Sequence, residues 1–264
     1  MVVSKRPQTL FMMICLLFVA LFTVTFMACD PGFFPPGDDE QEEGTSEDEE
    51  ENDGDEEEVV EQYIHNLGVE FAPYDSSTGR AGAFVFSNRI EKPILEFGQN
   101  TIGKSGRISA KDNPAFEYHL HPDAEIFAVA DGVVDRFLFL DETGDHMLRT
   151  RWPGSNLEII YDHVTNPQFE LGDTIMRGDF IGNPGCWDPG YVGRTEIQIS
   201  TGNDDEDNFL SHCPFDVFDP DSLEVYTARV SRLIEEWENF KEDTTIYDEE
   251  NFVYPCCVNL SLVP

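Results

Sequence analysis

The segment IFAVADGVV at residues 126–134 is the first of four short apolar segments that follow one another along the chain. The others are NLEIIYDHV (156–164), ELGDTIMRGDFIG (170–182) and RTEIQIS (194–200). β-Branched and aromatic residues dominate these segments, and Gly, Asp or Asn residues bound them. Such residues favour strands and such boundaries favour turns. The pattern therefore predicts an antiparallel, mostly β domain between residues 124 and 200.

The order and spacing of these segments resemble the lysostaphin-type (LytM) zinc metallopeptidases, which cut peptidoglycan cross-bridges. That family has an A-x-x-x-G-x-V strand, a Y-x-H strand, a G-D-x-V-x-x-G-x-x-I-G hairpin and a closing H-x-H strand. Residues 128–134, 161–163 and 172–182 match the first three motifs, with Ile175 in place of the valine. The resemblance covers roughly residues 95–200. It implies a LytM-like (duplicated hybrid motif) antiparallel β domain.

The amino terminus is typical of a bacterial lipoprotein signal. Two basic residues precede an apolar run at residues 10–28, and Ala28 stands directly before Cys29. This arrangement resembles the lipobox, in which the cysteine is diacylated and becomes the mature amino terminus. A transmembrane anchor is the alternative, because an apolar run of about 19 residues is long enough to span a bilayer. We predict a signal peptide at 1–28, a membrane anchor at Cys29 and a location in the bacterial cell envelope, with the inner and outer membrane both open.

The chain is strongly acidic, with 53 Asp and Glu against 16 Lys and Arg and a formal net charge of −37. Nucleic-acid binding requires clustered basic residues, so the composition argues against a nucleic-acid partner. Residues 29–61 begin with prolines and continue as an acidic run without a basic residue. Such a segment repels itself and cannot bury apolar surface. We predict a disordered linker that holds the folded part away from the membrane.

The folded part is predicted to consist of a β domain with its lead-in at 62–217 and a C-terminal region at 218–264. Weaker strand signals lie at 83–86 and 94–97, and the polar sequence DETGD at 141–145 predicts a turn between two strands. In the C-terminal region, Asp221-Ser222 is a candidate cap for an amphipathic helix. Apolar residues then recur at spacings of three and four, the period of one helical face: Leu223, Tyr226, Val230, Leu233, Ile234, Trp237 and Phe240. We expect this stripe to pack on the β domain.

The chain has six cysteines, of which Cys15 and Cys29 belong to the predicted signal and lipidation site. The other four are Cys186, Cys213, Cys256 and Cys257. An even number in an exported chain predicts two disulfides. A bridge between adjacent cysteines is strained, so we expect each of the last two to pair with one of the first two, in either combination. A zinc site built from the four thiolates is the alternative, although their spacing fits no compact zinc pattern.

The resemblance implies metal-assisted amide hydrolysis by a zinc ion with three protein ligands. In the family, the ligands come from an early H-x-x-x-D and from the second His of H-x-H. The first His of H-x-H and the His of Y-x-H assist the reacting water. His163 matches the Y-x-H position. Period-two alternation puts Glu196 and Gln198 on one strand face, at the positions of the two family histidines. The candidate catalytic residues are therefore His163 and Glu196.

The early ligand motif has two interpretations. Counting back from the A-x-x-x-G-x-V strand places Asn113 and Glu117 at the ligand positions, so the motif reads N-x-x-x-E and the histidine ligand is lost. Alternatively, His119 and Asp123 form an H-x-x-x-D. His119 and His121 would then share a strand face and form a displaced zinc site with the Y-x-H histidine or a carboxylate. These histidines could equally be surface or hydrogen-bonding residues beside a proline turn.

Three functional hypotheses follow. The favoured one is a degenerate, non-catalytic LytM-like domain without a cofactor, which binds peptidoglycan or regulates a cell-wall hydrolase, because two independent ligand positions depart from the family pattern. The alternative is an active zinc metalloendopeptidase that cuts peptidoglycan cross-bridges with a shifted ligand set. The third is a surface lipoprotein whose β domain only docks to a protein partner.

Overall fold

The computed structural model describes residues 63–98, 100–102, 108–202 and 210–259. All of them fall in one unit of the chain, Gly54–Pro264. The predicted signal peptide, the lipidation site Cys29 and the acidic linker lie outside the described residues, and the predicted domain bounds stay a prediction. No helix among the described residues is long and apolar enough to cross a membrane.

The described backbone is mostly β, as the sequence predicts. Its strands are β1 Arg80–Ala81, β2 Phe84–Val85, β3 Ile94–Leu95, β4 Asn100–Ile102, β5 Ile108–Asp112, β6 Ala115–Leu120, β7 Ile126–Phe127, β8 Gly132–Leu140, β9 Asp145–Arg151, β10 Leu157–Thr165, β11 Thr174–Ile175, β12 Phe180–Asp188, β13 Val192–Thr201, β14 Leu210–His212, β15 Phe252–Tyr254 and β16 Cys257–Val258. The α-helix α1 is Pro220–Lys241, and short 3-10 helices lie at Pro214–Val217 and Glu249–Asn251.

Within the described residues, the main sheet has twelve strands, and its central part runs in the order β6-β13-β12-β10-β9-β8. Strand β13 also pairs directly with β10, so β6, β13 and β10 lie side by side over part of their length. Both pairings are antiparallel. This arrangement brings side chains from three distant parts of the chain onto one face of the sheet.

The segment at 141–145 forms the predicted turn, because β8 and β9 pair as an antiparallel hairpin around it. The segment at 172–182 differs from the expected hairpin. Its two strands do not pair with each other: β11 pairs with β8, and β12 pairs with β7. The backbone explains the difference, since Ala128 and Val134 take up the hydrogen bonds of the segment. Gly178 N donates to Ala128 O at 2.8 Å and Gly172 N to Val134 O at 2.8 Å.

Helix α1 buries the predicted apolar stripe. Its central residues Val230, Leu233, Ile234 and Trp237 are buried, and the outer members of the stripe are partly buried against the same core. The predicted cap was wrong by two residues, because Asp219 is the N-cap and accepts a hydrogen bond from the Asp221 backbone N. A proline then occupies the first helical turn, where its missing N–H costs nothing.

One of the two predicted disulfides is present. Cys213 and Cys257 are bonded, with their Cα atoms 5.9 Å apart. The expectation of a second bridge was wrong, since Cys186 and Cys256 are free thiols. Cys186 is exposed on β12, whereas Cys256 is fully buried in the turn before β16. Burial raises the pKa of the Cys256 thiol, which disfavours the thiolate that disulfide exchange requires.

Candidate functional site

Five polar side chains meet where β6, β13 and β10 lie side by side: Glu117, His119, His163, Arg194 and Glu196, here called the Arg194 cluster. The strand register explains why they meet. Across β6 and β13, Arg194 pairs with His119 and Glu196 pairs with Glu117. The period of two then places all four side chains on one face of the sheet. His163 joins them from β10, where Asp162 pairs with Glu196.

The backbone at His163 is irregular. Its φ is 56°, in the left-handed region that non-glycine residues rarely adopt. The register between β10 and β9 shifts between Tyr161 and Val164, which marks a bulge, and the His163 backbone N donates to Asp162 Oδ1 at 2.8 Å. Bulges redirect side chains, and such strained residues concentrate at functional sites. The bulge thus carries the imidazole of His163 into the cluster.

Asp145 orients the imidazole of His163. Its Oδ2 lies 3.0 Å from His163 Nδ1, and its Oδ1 accepts a hydrogen bond from the Thr143 hydroxyl at 2.6 Å. The carboxylate is buried, with 2% of the residue exposed. Since the carboxylate accepts a hydrogen bond from Nδ1–H, His163 Nε2 is the nitrogen that faces the cluster. The sequence carries no signal for this role, because Asp145 lies at the end of the polar DETGD turn.

Gly185 on β12 makes room for this pair. A Cβ atom at this position would lie 2.3 Å from Asp145 Oδ2 and 3.1 Å from His163 Cβ. Any larger residue would push the carboxylate away from the imidazole. The close approach of β12 is therefore part of the site geometry.

Arg194 lies at the centre of the cluster. One terminal nitrogen, Nη2, is hydrogen-bonded to His163 Nε2. The other, Nη1, lies 3.6 Å from Glu117 Oε1 and 4.0 Å from Glu196 Oε1. The guanidinium also lies over the ring of Trp187, 5.0 Å from its centroid. Because a guanidinium does not lose its proton in proteins, a permanent positive charge sits between two carboxylates and a histidine.

The two glutamates respond differently to this environment. Burial and the neighbouring Glu117 raise the pKa of Glu196, against the opposing effects of Arg194 and His163. Burial also acts to raise the pKa of Glu117, but the contact with His119 and the charge of Arg194 outweigh it, so this pKa is lowered. Glu117 is therefore the more firmly ionised of the pair.

His119 is the fifth member. Its Nδ1 lies 2.7 Å from the backbone carbonyl of Lys92, and its Nε2 lies 3.5 Å from Glu117 Oε1. Beyond this long contact, His119 Nε2 and Glu117 Oε1 are buried and have no hydrogen-bond partner within the part of the chain that the structure describes. The ring of His119 lies 5.0 Å from that of Trp187.

Two of the predicted ligand positions bond elsewhere. The Asn113 amide donates to Glu96 O at 3.2 Å, and its oxygen accepts from Ala115 N at 3.3 Å. Gln198 donates to the hydroxyls of Ser200 and Ser211 at 3.2 and 2.9 Å. The strand register accounts for the difference at β13. The residue that lies beside His163 together with Glu196 is Arg194, two positions before Glu196, and not Gln198, two positions after it.

The displaced site is not assembled either. Strand β6 ends at Leu120, so His121 does not continue the strand face that His119 occupies. His121 bonds to Asp123, which also pairs with Arg80, and all these contacts lie at the surface. His119 is buried in the Arg194 cluster instead. The structure therefore separates His119 from the other two residues of the predicted H-x-x-x-D set.

The zinc ion that the resemblance implies does not fit these side chains. Arg194 places its own positive charge between the two carboxylates, and Asn113 and Gln198 are engaged in neutral hydrogen bonds. Among the described residues, no group of three or more His, Cys, Asp and Glu is arranged to hold a metal ion.

No protein-family model matches this chain, and no curated protein matches it. Three solved structures are similar to part of this chain. The antimicrobial peptidase lysostaphin from Staphylococcus simulans aligns at 14% identity over 46% of this chain and 47% of that chain, with a TM-score of 0.38. A putative glycyl-glycine endopeptidase LytM from Ruminococcus gnavus aligns at 17% identity over 59% of both chains, with a TM-score of 0.37. LytU aligns at 21% identity over 49% of this chain and 88% of that chain, with a TM-score of 0.37. The match thus spans about half the length of lysostaphin.

Proposed function

We propose that this chain is an exported, lipid-anchored envelope protein whose LytM-like domain binds cell-wall material or regulates a cell-wall hydrolase without cleaving a substrate itself. One observation carries the non-catalytic part: the guanidinium of Arg194 lies between Glu117 and Glu196 and is bonded to His163. The wall-binding part rests on the order of the sequence motifs, and the envelope location rests on the lipobox-like amino terminus.

The charge of Arg194 opposes a metal ion in the cluster. Two unit charges 4 Å apart interact by about 4 kcal/mol at the effective dielectric of about 20 that suits partly buried groups. A divalent cation beside the guanidinium would meet about twice that repulsion. One of the two carboxylate charges, which would otherwise attract a metal ion, is already compensated by a cation of the chain itself.

The contact with Arg194 also removes His163 as a base. A general base needs an unprotonated nitrogen within reach of the proton it takes. The Nδ1 of His163 is engaged by Asp145, and its Nε2 accepts from the Arg194 guanidinium. The remaining arrangement is a fixed polar surface beside Trp187, which suits recognition better than hydrolysis.

The first experiment measures metal content and cleavage together. The full chain, purified in detergent with added zinc, is assayed by elemental mass spectrometry and incubated with purified peptidoglycan. We expect less than stoichiometric zinc, no released fragments, and co-sedimentation with peptidoglycan or with a wall hydrolase. In a deletion strain, a folded His163→Ala protein that still binds the wall or its hydrolase should complement as well as the unchanged chain. Loss of complementation by a folded His163→Ala protein that still binds would contradict the proposal.

The alternative function is a zinc endopeptidase with a shifted ligand set, and one observation favours it. Glu117 Oε1 and His119 Nε2 are buried, close together and without hydrogen-bond partners in the described chain. A metal ion could satisfy both atoms if Arg194 moved away. This alternative requires stoichiometric zinc that is lost in His119→Ala and His163→Ala, together with peptidoglycan cleavage by the unchanged chain.

A further inference from the structure

A second polar surface lies at the other end of the β8–β9–β10 sheet region, remote from the Arg194 cluster. It is a cavity of about 370 Å³ between the β9–β10 loop and β8. This cavity, the Trp152 cavity, has a lining that includes Asp135, Arg151, Trp152, Ser155 and Asn156. Leu157 and His163 are six residues apart on β10, so about 20 Å separates the cavity from the Arg194 cluster. No part of the proposed function uses this cavity.

The loop that carries Trp152 is held in shape by its own backbone. Ser155 N donates to Trp152 O at 3.0 Å, and Gly154 adopts a φ of 79° that closes the turn. The hydroxyl of Ser155 accepts from Leu157 N at 3.0 Å. The ring and the exposed Asn156 amide are thereby presented by a formed turn, and binding to a formed loop avoids the entropy cost of ordering it.

The charged groups at the cavity are fixed and balanced. Arg149 holds Asp135 through two hydrogen bonds of 2.8 and 3.0 Å. Arg151 contacts the buried Glu158, which also lies 3.6 Å from Arg149. Of these four residues, Asp135 and Arg151 line the cavity, and the charges of the two guanidinium groups and the two carboxylates sum to zero in a chain of net charge −37. Such a surface offers directional hydrogen bonds but no net attraction for an anion or a cation.

We propose that the Trp152 cavity binds a neutral, polyhydroxylated ligand, namely a short segment of an uncharged oligosaccharide. The volume lies in the range of small-molecule sites. Sugar hydroxyls both donate and accept hydrogen bonds, and the lining includes a guanidinium donor on Arg151, a carboxylate acceptor on Asp135 and the Asn156 amide, which does both. The indole adds a flat apolar face with a negative quadrupole, which suits the C–H face of a sugar ring.

The test is isothermal titration calorimetry on the full chain in detergent, with tetrasaccharides of N-acetylglucosamine and of glucose as probes. We expect one or both to bind, and Trp152→Ala to weaken that binding by at least about tenfold, or about 1.4 kcal/mol. Asn156→Ala changes an exposed residue and should keep the fold while also weakening binding. Circular dichroism and the urea midpoint confirm that each variant is folded.

Three outcomes would overturn the proposal. The first is that neither tetrasaccharide binds the unchanged chain. The second is that binding survives both Trp152→Ala and Asn156→Ala. The third is that Trp187→Ala abolishes binding while Trp152→Ala does not, which would assign the sugar to the Arg194 cluster. The last result would support wall binding by that cluster, so failure of this proposal is distinct from failure of the proposed function.

Discussion

The Arg194 cluster and the Trp152 cavity contain nearly the same residue types but arrange them differently. Both combine arginine with carboxylates on adjacent strands and both lie beside a tryptophan. In the first, the guanidinium lies among the acids and histidines and fills the space between them. In the second, Arg149 pairs with Asp135 and Arg151 with Glu158, and Asp135 and Arg151 line an open cavity. The position of the guanidinium, rather than the residue types present, therefore closes the first cluster to a metal ion.

The largest effect on the free energy of unfolding is expected at the Trp152 cavity. Glu158 is buried, with 2% of the residue exposed, and is contacted by Arg149 and Arg151. Glu158→Ala leaves two guanidinium groups with one carboxylate, and removing one partner of a buried pair costs about 3–5 kcal/mol. Urea denaturation measures the change in the free energy of unfolding.

The matched control for Glu158→Ala is Asp135→Asn, because the Asp135 side chain is 31% exposed and solvent can compensate its loss. We expect a cost of about 1 kcal/mol or less for this variant. If Glu158→Ala costs no more than Asp135→Asn, the pairs do not hold the cavity in place.

A smaller effect is expected at Arg194. Arg194→Ala leaves Glu117 and Glu196 without their cation and should lower the unfolding free energy by about 1–3 kcal/mol. Zinc should then raise the melting temperature of the variant, because the carboxylates and histidines can accept a metal ion once the guanidinium is gone. Thermal unfolding with and without zinc measures both effects.

Arg194→Lys is the control for charge, since an ammonium group keeps the positive charge in the cluster. We expect no stabilisation of this variant by zinc, and none of the unchanged chain. An equal rise in melting temperature for all three proteins would mean that Arg194 does not close the cluster to metal ions.

The smallest effect concerns the pH dependence of the two glutamates. The folded pKa of Glu196 is raised, so ionisation of this residue opposes folding as the pH rises above its ordinary value of 4.5. Glu196→Gln should therefore raise the urea midpoint above that of the unchanged chain at pH 7, and by less at pH 4. Urea titrations at a series of pH values measure this difference.

Glu117→Gln should show the opposite sign. The folded pKa of Glu117 is lowered, so its contribution is present above its ordinary value of 4.5 and is lost as the pH falls through the folded pKa. Glu117→Gln should lower the midpoint at pH 7, and the difference should fade on acidification. The same sign for both variants would contradict the assignment of Glu117 as the more firmly ionised member.

Local sequence patterns were enough to predict these elements of the fold. The turn at 141–145 and the apolar stripe of α1 are confirmed, because each depends on residues a few positions apart. The number of cysteines was not enough to predict the disulfides. Four exported cysteines predicted two bridges, but Cys186 lies on the exposed face of β12 and Cys256 in the core. Pairing depends on where each thiol ends up in space, and the count carries no such information.

The sequence by itself determined the strand and helix periods and the acidic character of the chain, and it identified His163 as a residue of interest. Only the tertiary structure placed Arg194 against Glu117 and His163, and Asp145 against His163. The physical reason is strand register. A shift of two residues along β13 exchanges Gln198 for Arg194 at the site while the alternation of apolar and polar residues stays the same. The pairing of β13 with β6 and β10, rather than any local pattern, selects the residue that faces the histidine.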